Sequence, residues 1–212
     1  MSLRPNMKRT FFALFGCLIV LAFTAHAALS PNVAGKVKQI KGLALAVQDA
    51  QVRPLQIGDE ILIGDILSTG ASSRLEITMI DEGSFKLGER TSFVVIDYTF
   101  GKGNNNAVLE LLNGAMDGVS GQIAKANPKG MSIDTSVGTI GIRGTKFFVG
   151  ELDGALSVAH WKGGGVLVKN YAGEVMLSEN NVGTKLTDAH IAPTPPKAWA
   201  NEKKKRALAL VN

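Results

Sequence analysis

The sequence predicts an all-β domain, and three observations carry that prediction. Apolar residues recur with a period of two in short runs, glycine turns separate the runs, and no stretch before residue 190 has a helical period. In Arg74–Met79, Leu75, Ile77 and Met79 alternate with polar residues and so share one strand face. Ser84 and Lys86 alternate in the same way with Phe85 and Leu87, and the stretch from Met131 to Val137 repeats the period. The runs Val108 to Leu112, Phe147 to Val149, Leu156 to Val158 and Val166 to Val168 suit strands buried more deeply, and Val175 to Leu177 supplies another strand. Glu82-Gly83, Asn113-Gly114, Asp153-Gly154 and Ala172-Gly173 fall between apolar segments, where glycine can take the positive φ of a tight turn. The stretches from Gly101 to Asn106, Ala124 to Gly130 and Gly163 to Gly165 read as loops.

Ahead of this domain, Arg4, Lys8 and Arg9 precede the apolar run from Phe11 to Phe23, and Ala25-His26-Ala27 follows. A basic region, an apolar run and an A-x-A site form a secretory signal peptide, cut between Ala27 and Ala28. The run is shorter than the roughly 20 residues that span a bilayer, so no transmembrane span is expected after signal removal. Cys17 would close the apolar run in a lipoprotein; here the run continues through Leu18 to Leu21, which argues against lipidation. Cys17 is also the only cysteine, so an exported domain must hold together by its core alone. The predicted organisation is a signal peptide over 1–27, a β domain over 28–192, and a linker with a basic tail over 193–212.

The formal net charge of +5 belongs to the ends. Between residues 28 and 196 there are 15 basic and 17 acidic side chains, which removes the electrostatic support for nucleic-acid binding. Pro193-Thr194-Pro195-Pro196 reads as a stiff linker. Lys197 to Val211 favours a short C-terminal helix, with Trp199, Leu208 and Val211 as its apolar contacts. Within the domain, Ile57-Gly58-Asp59 and Ile63-Gly64-Asp65 repeat at a spacing of six. That repeat fits stacked corners of a β-solenoid or consecutive hairpins of a sandwich equally well.

The order of motifs resembles the FecR domain, the periplasmic module of iron-dicitrate transport regulators. Gly35-Lys36-Val37 and Leu55 to Asp59 begin the likeness, and Gly64 to Ser73 is similar to the family's G-D-x-L-x-T-G-x-x-S turn. Asp81 to Gly88 resembles its D-G-S-x-x-x-L hairpin with Glu82 inserted, and Leu109 to Gly114 its L-x-x-G strand. Thr135 to Phe147 resembles the signature T-P-x-x-x-x-G-V-R-G-T-x-F, with Ser136 where proline is common, and Gly163 to Val168 the closing G-x-V-x-V strand. The resemblance runs over about residues 33–190 and implies stacked short strands with β-solenoid or β-helix character. Full regulators of this kind carry a cytoplasmic anti-sigma segment, a transmembrane helix and a C-terminal part that meets an outer-membrane transporter. Only the signal peptide is expected before this domain, so the anti-sigma role is not carried over.

Chemistry is sparse. Gly138, Gly141 and Gly144 are spaced G-x-x-G-x-x-G, unlike a phosphate loop, and no helix pattern follows. These glycines, with Arg143 and Thr145, are signature positions expected to serve structure: close backbone approach for the glycines, carbonyl tethering for the arginine. Gly118-Val119-Ser120-Gly121-Gln122 is no nucleophile elbow. His160 and His190 are the only histidines after the leader, so no metal site or cofactor is expected. Asp59, Glu60 and Asp65 lack a calcium-loop pattern and read as turn residues. Trp161 could offer an aromatic contact to a sugar or cap the core at a strand end. The expected function is therefore a non-enzymatic interaction or ligand-binding module of the periplasm, outer-membrane-associated or secreted, whose partner is an envelope protein or polysaccharide. Two alternatives stand beside it: a sensing component for iron or another transported ligand, and an enzyme acting on cell-wall glycans through a pair of carboxylates.

Overall fold

The computed structural model describes Met1, residues 32–101, Gly103 and residues 105–212. The predicted signal peptide and its Ala27/Ala28 cleavage site therefore lie outside the described residues, apart from Met1. The described chain builds two nine-stranded sheets. In spatial order the first holds β18 (Lys197–Ala198), β17 (Val182–Leu186), β14 (Ala155–Gly163), β13 (Thr145–Leu152), β10 (Ala115–Val119), β7 (Ser84–Leu87), β6 (Arg74–Met79), β1 (Val33–Lys41) and β4 (Glu60–Leu62). The second holds β16 (Gly173–Leu177), β15 (Val166–Asn170), β12 (Gly138–Ile142), β11 (Met131–Thr135), β9 (Asn106–Asn113), β8 (Ser92–Thr99), β5 (Ile66–Thr69), β2 (Ala44–Gln48) and β3 (Gln51–Pro54). Two short helices complete it, α1 (Gln122–Ala126) and α2 (Asn201–Ala209).

Strands are laid mostly in adjacent pairs, first in one sheet and then in the other, so both sheets grow along the same direction as the chain advances. The all-β expectation and the C-terminal helix hold. The β-solenoid expectation is corrected by the ladders. Coils of a solenoid stack parallel strands, whereas here the neighbours pair antiparallel except for β9 with β11. Two-residue glycine turns close hairpins, and hairpins give antiparallel ladders. The one parallel pair needs a crossover, which β10 and α1 supply; α1 stands where the sequence suggested only a loop.

The repeated Ile-Gly-Asp is a repeated turn. Asp59 Oδ2 accepts from Gln56 N–H, and Asp65 Oδ2 accepts from Leu62 N–H, each at 2.8 Å. Gly58 and Gly64 sit at φ +92° and +95° in the two turns. Aspartate side chains that bond backbone three residues back make this geometry, and no metal is needed to explain their spacing.

Between the sheets lies one continuous core. Leu75, Ile77, Phe85, Leu87, Phe147 and Val149 meet Leu67, Phe93, Val95, Leu109, Ile133 and Ile140. A second cluster covers the opposite face of the first sheet: Ala115, Phe148, Leu152, Ala159 and Trp161 pack beneath Trp199, Ala207 and Val211. Thus β13 is buried on both faces, and Phe147, Phe148 and Val149 are all fully buried. The runs on β9 and β15 instead alternate: Leu112 is exposed, and Leu167 is half-buried between buried Val166 and Val168.

Candidate functional site

The signature segment, residues 135–147, runs from one end of the sandwich to the other. It starts in the β11–β12 turn, where the Thr135 hydroxyl donates to Gly138 O at 2.6 Å and accepts from Gly138 N–H at 3.1 Å. A Cβ on Gly138 would come within 2.6 Å of Lys169 O, so the neighbouring strand leaves no room for a side chain. Gly141 has no such need, since a Cβ there would make ordinary contact with Leu167 at 3.6 Å. The far end is a double crossover. The β12–β13 connection and the β14–β15 connection lie backbone against backbone, with Arg143 N–H donating to Gly165 O at 3.1 Å and Gly164 N–H to Gly144 O at 3.0 Å. A Cβ on Gly164 would run into the Arg143 carbonyl. Thr145 is buried and fastens this junction: its N–H donates to Ser120 Oγ at 2.8 Å and its hydroxyl to Lys162 O at 2.7 Å. The Arg143 tether is made by its backbone; its guanidinium forms no hydrogen bond or ion pair among the described residues.

Two buried carboxylates organise the neighbourhood. Asp81 lies fully buried between β6 and β7 and accepts from the Tyr98 hydroxyl at 2.6 Å, Gly83 N–H at 3.0 Å and Ile123 N–H at 3.0 Å. Burial and the Asp81 charge push the Tyr98 phenol far up, so it remains a donor. This network ties the β6–β7 hairpin, β8 and α1 together. In the sequence Asp81 stood out only as the start of the hairpin that resembles the family motif, with no sign of its partners.

Trp161 is 9% exposed, and its indole N–H donates to Asp117 Oδ1 at 2.7 Å. Its ring meets Trp199 edge-on at 5.6 Å, beneath the C-terminal segment. Burial raises the Asp117 carboxyl above its ordinary value of 3.8, while the Trp161 bond and the Lys146 and Lys86 charges pull it partly back. The folded chain then holds this proton more tightly than the unfolded chain. Stability from this group is greatest at acid pH and falls as pH rises from 3.8 through the raised folded value. Asp117→Asn keeps an acceptor for Trp161 and is expected to flatten that decline. Thermal midpoints from about pH 3 to pH 7 measure it, and parallel profiles for the two proteins would show that Asp117 does not govern the slope.

At the Gly138 end an open groove of about 320 Å³ is lined by Asp134, Thr135, Ser136, Thr139, Lys169 and Tyr171. Tyr171 is 86% exposed, and its ring stacks on His190 at 5.3 Å and 21°. Asn170 fixes this shelf: its Nδ2 donates to Asp188 O and Ile191 O, and its Oδ1 accepts from Ala172 and Gly173 N–H. Tyr171 N–H adds a bond to Ala189 O at 3.1 Å. The Thr139 hydroxyl and Asp134 Oδ1 pair at 2.7 Å on the groove wall. The shelf was not legible in the sequence, because Tyr171 and His190 are 19 residues apart in separate loops. Among the described residues no three His, Cys, Asp or Glu side chains are grouped to hold a metal ion.

Residues 65–164 match the family described as FecR protein. They cover β5 to β14, and the strands on either side extend the same two sheets. Two crystal structures of a candidate anti-sigma factor from Parabacteroides distasonis ATCC 8503, at 1.65 and 2.50 Å resolution, are similar, each with a TM-score of 0.52 and 16% identity over 68% of this chain. The match covers 64% and 63% of those chains, so this chain spans less than two thirds of their length. At that identity the likeness is one of fold. No curated protein matches the chain. Among the described residues no helix is long and apolar enough to cross a membrane.

Proposed function

We propose that this chain, with a FecR-type segment at residues 65–164 as its centre, is a non-enzymatic ligand-binding module of the cell envelope that takes a saccharide chain on the Tyr171–His190 shelf. The shelf carries the reading. An exposed, pre-positioned aromatic face suits the apolar face of a sugar ring, and the Asp134, Thr139 and Lys169 side chains beside it offer both acceptors and donors for hydroxyl groups. The signal-peptide pattern supports export to the periplasm, where envelope polysaccharide is available. Binding of oligosaccharides released from the cell wall, followed by amide shifts, tests it. Tyr171→Ala is expected to weaken binding about tenfold, the equivalent of losing one aromatic contact of about 1.5 kcal/mol. Binding that is absent, or indifferent to Tyr171, overturns the assignment.

A second reading is favoured by the FecR match together with the structures described as anti-sigma factors: the module senses a ligand for a separate signalling protein. On that reading an envelope protein is the partner, and deleting the gene alters expression of the transporter system it serves. Unchanged transporter expression would remove it.

A further inference from the structure

We propose a second binding site, for a phosphoryl group, in the groove beside the double crossover at the opposite end of β12 and β15. The groove, about 430 Å³, is lined by Val119, Ser120, Gly144 and Gly163 and by three lysines, Lys125, Lys146 and Lys162. The lysines come from three separate elements: α1, β13 and β14. Lys146 and Lys162 face each other across the β13–β14 ladder, and a Cβ on Gly144 would lie 3.4 Å from the Lys125 side chain, so the lysine stem rests on the glycine backbone. No acidic side chain lines the groove among the described residues. Lys146 has Asp117 as its counter-charge, with Oδ2 3.7 Å from Nζ and the other oxygen taken by Trp161. Among the described residues, Lys125 and Lys162 have no ion-pair partner.

The body between residues 28 and 196 is slightly acidic, yet three lysines and no carboxylate line this groove among the described residues. Compact ammonium charges on flexible stems suit a tetrahedral anion approached from several sides, whereas a planar carboxylate is better matched by an arginine fork. The glycine spacing G-x-x-G-x-x-G does not form a backbone cradle, and the site needs none, since the charge comes from side chains. Half-exposed Val119 gives the groove an apolar lip, which suits a phosphoryl group carried on a larger body. That body is either a small phosphate ester or a phospholipid headgroup.

The test uses three probes at low salt: inorganic phosphate, glycerol 3-phosphate, and vesicles of phosphatidylglycerol set against phosphatidylcholine. Saturable binding with amide shifts at Ser120, Gly144, Thr145 and Gly163 is expected for at least one phosphoryl probe. Lys125→Glu with Lys162→Glu is expected to weaken it at least tenfold without moving the thermal midpoint. The milder Lys125→Gln with Lys162→Gln is expected to give a smaller loss. Lys203→Glu with Lys204→Glu, on α2, is expected to leave binding unchanged. Binding of vesicles alone assigns the headgroup source, and binding of the soluble probes assigns the ester. No saturable binding of any probe, or an equal loss in the α2 variant, overturns the site. Saccharide binding at Tyr171 is unaffected by either result.

Discussion

Asp81→Ala is expected to destabilise the domain by about 3 kcal/mol or more, because it leaves three donors without an acceptor in the buried interior. The carboxylate takes bonds from Tyr98, Gly83 and Ile123, on three separate segments, and is fully buried. Removing one partner of a buried pair costs more than removing both, since the remaining polar group keeps its desolvation penalty without its bond. Tyr98→Phe alone is therefore expected to cost less, about 1–2 kcal/mol, and the double variant less than the sum. Urea titrations of the four proteins give the cycle. Additive losses would mean that Tyr98 and Asp81 act independently despite their 2.6 Å contact.

The second large effect concerns the C-terminal segment. Trp199→Ala is expected to cost about 3–5 kcal/mol, the range for emptying a buried aromatic site. Trp199 is 6% exposed, lies edge-on to both Phe148 and Trp161 at 6.2 and 5.6 Å, and carries Lys203 Nζ 3.9 Å above its ring. Ending the chain before Pro193 would go further, uncovering Phe148, Leu152, Ala159 and Trp161 together. It would also free the edge of β17, which Lys197 and Ala198 now cover. An exposed apolar face beside an open strand edge is an association site. The shortened protein is expected to unfold at lower temperature and to self-associate, and light scattering beside thermal denaturation checks both. A monomer with the parent midpoint would show that the segment is a passive appendage.

Several bonds set the geometry of this cover. Thr194 pairs with the backbone of Lys185, and the Arg206 guanidinium reaches both Asp153 oxygens, holding that carboxyl below its usual range. Arg74 reaches the carbonyls of Ala209 and Asn212 at the end of α2. Cations at a helix C-terminus satisfy carbonyls that have no partner within the helix.

Strand identity was legible because local patterning determines it. Leu75, Ile77 and Met79, Phe85 and Leu87, and Met131 and Ile133 all face the core as their alternation requires. The Ile-Gly-Asp repeat was legible as turns for the same local reason. Less could be read where the deciding contact lies far away in sequence. The Val108 to Leu112 and Phe147 to Val149 runs look alike as text, yet only the second is buried on both faces, because α2 lies over β13. The candidate shelf depends on Asn170 holding the loop that carries His190 against Tyr171, a pairing that no spacing announces.

By itself, then, the sequence determined an all-β domain with a C-terminal helix, its turn positions and its FecR-like signature, since alternation and glycine geometry act over a few residues. Tertiary structure alone decided that the strands form two sheets, antiparallel except for β9 with β11, in place of parallel coils. It also decided that Trp161 lies under the tail and that the signature strand joins two grooves. Those outcomes depend on which hairpin lands beside which, and that is set by burial summed over the whole chain.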